Sequence, residues 1–234
     1  MKKSIIVSLV FGLFFVIVNN TYADLILSDV GGTWSNVIGG SNINYIDNVF
    51  IGGYGTGYED RVLWCDGPSG QSGLGFTPRN NPSNPISITI GEAFDVGQLR
   101  HFNNPINSPP PTSVDLEIDL LFSNPSGLTG EFFYTLSINE TPNVTGGSPG
   151  DDDIITFPVF YPSQTFEIGG TSYVLQILGF GPNSSSLYSQ FSSPEGGTNS
   201  TLIWGSINIV PVPGAFLLGF LGLGAAGLKL RRFA

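Results

Sequence analysis

Along residues 24–210, apolar and polar side chains alternate in short runs instead of recurring every three or four positions. The clearest run is Val114-Asp115-Leu116-Glu117-Ile118-Asp119-Leu120, which sets four aliphatic side chains on one face of a strand and three carboxylates on the other. Ser87-Ile88-Thr89-Ile90 alternates in the same way, and strand-length runs recur at 24–30, 61–65, 131–139, 154–160, 164–168, 172–179 and 201–210. Turn-forming clusters separate them: Gly52-Gly53, Asn80-Asn81-Pro82, Ser108-Pro109-Pro110-Pro111, the Gly/Ser/Pro stretch 146–150, and Gly169-Gly170. No window away from the two ends offers a long helical face. About a dozen short strands at hairpin spacing predict one all-β unit, an antiparallel β-sandwich of jelly-roll-like type.

Composition sharpens this picture. The chain has 32 Gly and 17 Pro in 234 residues, which disfavours long helices. Only 11% of residues are charged, yet 41% are hydrophobic and 12% aromatic, enough for a packed core. Between Asp24 and Val210 lie all 18 carboxylates and only three basic residues, Arg61, Arg79 and Arg100, a balance of −15 without a lysine. Such a surface repels phosphate backbones, so nucleic acid is excluded as a partner; cations, neutral glycans and basic surfaces fit. Cys65 is the one cysteine, so no intrachain disulfide forms, and its expected role is that of a small buried hydrophobe. His101 is the one histidine, so a His-based metal triad is impossible.

The two ends read differently from the middle. Lys2 and Lys3, an apolar run at 5–18, and Thr21-Tyr22-Ala23 before Asp24 form a secretory signal helix, residues 1–23, cut between Ala23 and Asp24. The run is short for a bilayer span, which favours cleavage over anchoring. At the other end, Val210-Pro211-Val212-Pro213 precedes a Gly/Leu-rich stretch, 214–228, and a basic end with Lys229, Arg231 and Arg232. As a helix, 214–230 reaches roughly 25 Å, slightly under a hydrocarbon core of ~30 Å, with Lys229 able to snorkel. One reading is a plain C-terminal transmembrane anchor with its basic end inside. The Val-Pro-x-Pro motif, short helix and basic cluster, however, resemble the PEP-CTERM sorting signal of Gram-negative bacteria, with Val212 where that family usually has Glu. The resemblance implies an exosortase-type transpeptidase as partner, cleavage near Pro211–Pro213, passage through the inner membrane to the cell surface or exterior, and association with extracellular polysaccharide. The expected partition is 1–23 signal, 24–209 ectodomain, 210–234 sorting tail.

Within the ectodomain, Arg61-Val62-Leu63-Trp64, the segment 71–78 and Gly97-Gln98-Leu99-Arg100-His101-Phe102-Asn103-Asn104-Pro105-Ile106 are similar to choice-of-anchor K surface domains and to the related PEP-CTERM proteins with a Thr-His-x-Asn motif. Arg100 stands where that motif has Thr. The resemblance implies an extracellular module and supplies no activity. From the residues themselves, nothing resembles a Gly-x-Ser-x-Gly elbow, and His101 with Asn103 and Asn104 reads as a strand-end cap with side-chain-to-backbone turn bonds. Asp151, Asp152 and Asp153 form either a solvated acidic turn or a candidate Ca²⁺ site. Asp115, Glu117 and Asp119, ~7 Å apart along one strand face, point in parallel and do not flank a glycosidic bond. Trp34, Tyr54, Tyr58 and Trp64 are candidates for sugar stacking, with core packing as the plainer role. The expectation is a non-enzymatic exported surface or matrix protein without a cofactor beyond the candidate Ca²⁺. The alternative is a secreted, lectin-like carbohydrate-binding module with a defined sugar or Ca²⁺ site.

Overall fold

The computed structural model describes residues 25–141, 152–157 and 164–210. The expected signal segment, the expected sorting tail beyond Val210, and Asp151 lie outside the described residues. Among those described, every regular element is a strand, and no helix is long and apolar enough to cross a membrane. In chain order the strands are β1 (Leu25–Gly39), β2 (Asn44–Phe50), β3 (Tyr58–Trp64), β4 (Ser72–Pro78), β5 (Ile86–Ile88), β6 (Ala93–Asn103) and β7 (Pro111–Asn124). They continue with β8 (Leu128–Asn139), β9 (Asp153–Thr156), β10 (Phe166–Ile168), β11 (Thr171–Asn183), β12 (Ser186–Tyr188), β13 (Gln190–Ser193) and β14 (Gly197–Ile209).

All pairings are antiparallel. One sheet runs β13-β9-β8-β7-β1-β5; the other runs β10-β11-β14-β6-β4-β3-β2, with β12 added to β11. The two share one hydrophobic core. The alternation at 114–120 is borne out: Val114, Leu116, Ile118, Leu120 and Phe122 are buried, and Asp115, Glu117 and Asp119 face outward. β8 repeats the pattern with Phe132, Tyr134, Leu136 and Ile138. Rings pack across the core, as in Phe122 on Phe166 at 5.5 Å and Tyr134 edge-on to Phe157 at 5.8 Å. Polar tips of buried aromatics also bond from sheet to sheet: Tyr134 Oη donates to the Leu175 carbonyl at 2.6 Å and Trp34 Nε1 to the Asp60 carbonyl at 2.8 Å. The Gly169-Gly170 pair forms a two-residue hairpin turn with φ of 57° and 80° between β10 and β11, the primed geometry that matches strand twist.

Three strands of seven or more residues, β2, β4 and β6, fall outside the runs that alternation predicts. In β4 the outward positions are Gly73 and Gly75, covered by Leu63 and Glu59, so Ser72-Gly73-Leu74-Gly75-Phe76-Thr77 is buried on both faces. In β6 the parity changes midway. Phe94 and Val96 are buried, then Leu99, His101 and Asn103, because β14 pairs Trp204 with Asp95 but Ile203 with Gly97, leaving Val96 as the extra residue of a β-bulge. Gly97 is obligatory there for a packing reason. A Cβ on it would lie 2.4 Å from the Phe76 ring and 2.8 Å from the Thr77 carbonyl oxygen, and Gly32 of β1 meets the same ring at 2.2 Å. Gly97→Ala is therefore expected to cost about 1–3 kcal/mol by overpacking, whereas Gly197→Ala, with nothing within 4 Å, stays within about 0.5 kcal/mol of wild type. Urea melts of the two variants check this; equal midpoints would mean that the Phe76 slot is loose.

Candidate functional site

Because the bulge resets β6, His101 and Asn103 point into the protein while Arg100 and Phe102 point out. Both inward side chains are fully buried. Ser72 at the start of β4 and Trp64 at the end of β3 join them from the same sheet, since β4 pairs Leu74 with His101 and β3 pairs Trp64 with Ser72. The other sheet contributes Glu140, just past β8, with Asp153 of β9 and Ser193 of β13, which are cross-strand partners. One atom each of His101, Glu140 and Asp153 lies within 4.8 Å of the others.

The hydrogen bonds form a connected network. His101 Nδ1 meets Ser193 Oγ at 2.8 Å, and Asn199 Nδ2 donates to that same oxygen at 2.9 Å. His101 Nε2 is 3.5 Å from Ser72 Oγ, a long contact. Ser72 Oγ and Trp64 Nε1 both donate to Glu140 Oε1, at 3.2 and 2.8 Å. Thr141 donates its amide and its hydroxyl to Asp153 Oδ1 at 2.7 and 3.1 Å. Asn103 Nδ2 donates to the Ser193 carbonyl at 2.8 Å. Left over are Asn103 Oδ1, which has no donor, and Glu140 Oε2 and Asp153 Oδ2, which meet no donor other than each other's carboxyl; all three are buried.

Electrostatics follow from this crowding. Burial, then the charge of Asp153, pushes Glu140 up to about 7. Burial also raises Asp153, and burial followed by Asp153 raises Glu195. Burial drives His101 down to about 3, so its imidazole is neutral at neutral pH. Among the described residues no guanidinium relieves the carboxylates. Arg61 and Arg100 pair with Glu59 at 2.7 and 3.4 Å and stack on Phe102 on the outer face, and Arg79 pairs with Asp95 at 2.8 Å. Burial and mutual charge thus favour a single proton held between the two carboxyls, Glu140 toward Asp153. A depression of about 430 Å³ between 106–110 and Glu140-Thr141 opens onto Glu140 from outside.

The other sequence candidates are scattered. Asp152 leaves the cluster and accepts a hydrogen bond from Ser192, so the two described members of the Asp triplet point apart. Asn103 and Asn104 do make side-chain-to-backbone bonds, but to Ser193 and Gln71, not within a local turn. Trp34 and Trp64 are core residues, Tyr54 is half-buried with its hydroxyl on Asp95, and Tyr58 is 49% exposed against the 71% exposed Phe50. Cys65 is buried with its thiol on the Pro109 carbonyl. Glu140 escaped the sequence reading although its signal was present: the inward positions of β8 are even-numbered through Ile138, and the next is Glu140. Asp153 likewise keeps the parity of buried Ile155 and Phe157. No protein-family model and no curated protein matches the chain.

The shared proton has a pH signature. A carboxyl that titrates near 7 folded and near 4.5 unfolded stabilises the native state fully below pH ~4.5, and that stability is lost as pH rises to ~7. His101 acts in the opposite sense, losing stability as pH falls from ~6.5 to ~3, so wild type is compared with Glu140→Gln, which isolates the Glu140 contribution. Glutamine can accept from Trp64 and Ser72 and donate to Asp153. With chelator present, it is expected to melt with wild type at pH 5 and to be more stable by about 1–3 kcal/mol at pH 8. Identical pH profiles would overturn the shared proton.

Proposed function

We propose that the chain is an exported, non-enzymatic surface or matrix protein of a Gram-negative bacterium. Residues 1–23 direct export, and the tail from Val210 is handed to an exosortase-type transpeptidase that cuts near Pro211–Pro213. The ectodomain is a jelly-roll-like β-sandwich that works in extracellular polysaccharide. The observation that carries the reading is the fate of the basic residues. All three arginines of the ectodomain are turned onto its own Glu59 and Asp95, so the 24–210 region presents carboxylates and no free cation among the described residues. Asp29, Asp119 and Glu131 line one outer depression of the six-stranded sheet, where Asp119 is raised by burial and by Glu131. A surface of this kind stays dispersed among anionic polymers and concentrates cations. The tripartite tail and the His101/Asn103 pair of the motif resemblance support the same reading.

A second reading, the lectin-like module, draws on one feature: Tyr45, Phe50 and Tyr58 are exposed at the β2 edge of the eight-stranded sheet, with Phe50 and Tyr58 edge to face at 5.4 Å. Phe50→Ala with Tyr58→Ala is expected to leave export and matrix retention unchanged; loss of retention on the cell's own polysaccharide would favour this reading instead.

Intact mass of the protein recovered outside the cell tests the main proposal. The expected mass runs from Asp24 to the Pro211–Pro213 region, and Pro211→Ala with Pro213→Ala is expected to leave the chain uncut in the inner membrane. A mass retaining Lys229, Arg231 and Arg232 would make the tail a plain anchor.

A further inference from the structure

We propose that His101, Glu140 and Asp153 form a site for one divalent transition-metal ion of the Zn²⁺ class, which clamps the two sheets together. The donor set is the first reason. One imidazole and two carboxylates suit a borderline ion, and the two carboxylates neutralise its charge. Ca²⁺ fits less well, because it takes 6–8 oxygens and finds an imidazole here. The second reason is independent of the cluster's composition: Asp153 is 0% exposed, yet its Oδ2 is met by nothing but the Glu140 carboxyl, and fully buried Asn103 leaves its Oδ1 without any donor. A buried charge is ordinarily paired or bound to a metal, and the arginines are committed elsewhere.

The imidazole is arranged for ligation. With its proton on Nδ1, the ring donates to Ser193 Oγ, itself fixed by Asn199, while Ser72 gives its hydrogen to Glu140 and leaves the Nε2 lone pair without a donor. That is the outer-sphere pattern in which the far ring nitrogen sets the tautomer of the ligating one. Trp64, Ser72 and Thr141 orient the carboxylates in the same sense. Bonds of ~2.1 Å require the three ligand atoms to draw in by roughly 1 Å, and Glu140, at the mouth of the outer depression, is the side chain with room to move. Binding exchanges the ion for the shared proton, which leaves to solvent, and a water completes the coordination.

The test uses the full chain, purified in detergent without chelator. Elemental analysis is expected to find close to one transition-metal ion per chain. After removal of metal by chelator, Co²⁺ is expected to give visible d–d absorption. Zn²⁺ at about a hundred times its dissociation constant is expected to raise Tm by roughly 5–10 °C at pH 7.5. Glu140→Gln and Asp153→Asn should each lower metal retention by at least about tenfold while melting no lower than chelated wild type, because the amides can keep the hydrogen bonds. Metal below about a tenth of an ion per chain, together with a Tm that Zn²⁺ does not move, would overturn the site and leave the shared proton as its resting state. An equal response to Ca²⁺ would overturn the assignment to an imidazole-binding ion.

Discussion

The polar seam between the sheets depends on a single extra residue. Val96 gives β6 its bulge, and from Gly97 onward every side chain of that strand has changed face. Without the bulge Arg100 and Phe102 would be aimed into the core, and His101 and Asn103 would lie in solvent. With it, Arg100 reaches Glu59 and stacks on Phe102 outside, and the imidazole meets Ser193 and the carboxylates inside. The bulge is held from the other side by Phe76, whose ring fills the space that side chains at Gly97 and Gly32 would need. A packing choice in the middle of the sheet therefore sets the chemistry at its end.

No disulfide is available to join the sheets, since the chain has one cysteine and it is buried as a thiol. Cohesion comes from one shared core, in which Phe122 of β7 and Phe132 of β8 pack on Phe166 of β10, and from the polar tips of three aromatics. Tyr134, Trp34 and Trp64 each pack a ring in the interior and carry a hydrogen bond to a group supplied by the opposite sheet. The third of these bonds ends on Glu140, so the apolar seam and the polar cluster are one continuous contact. Loss of order at Glu140 would be felt by Trp64 directly.

Strands with one buried and one wet face were legible because period-two alternation records that difference; β7 and β8 are the plain cases. β4 was not, because its outer positions are glycines hidden under Leu63 and Glu59, and a strand buried on both faces by its neighbours carries no alternation. β6 failed for another reason: two correct half-patterns joined across a bulge cancel when read as one. His101 stood out as the one histidine, yet its partners come from 39 and 52 positions further along the chain, and only the pairing of β8, β9 and β13 brings them together. The carboxylates were nevertheless marked. Glu140 and Asp153 occupy inward positions of otherwise apolar strand faces, and a charged residue at an inward position demands an explanation that an outward one such as Glu117 does not.

No cation among the described residues supplies that explanation. The region 24–210 holds three basic side chains, and each is bound to a carboxylate away from the seam. His101 cannot supply charge either, because burial keeps it neutral down to about 3. The carboxyl pair is therefore neutralised by whatever the medium offers, a proton or a metal ion, entering beside Glu140. Since the same pair lies between the sheets and anchors Trp64, the packing of this lysine-free acidic body is coupled to the ionic composition of its surroundings. A lysine at the seam would have removed that dependence, and no lysine lies anywhere between residues 4 and 228.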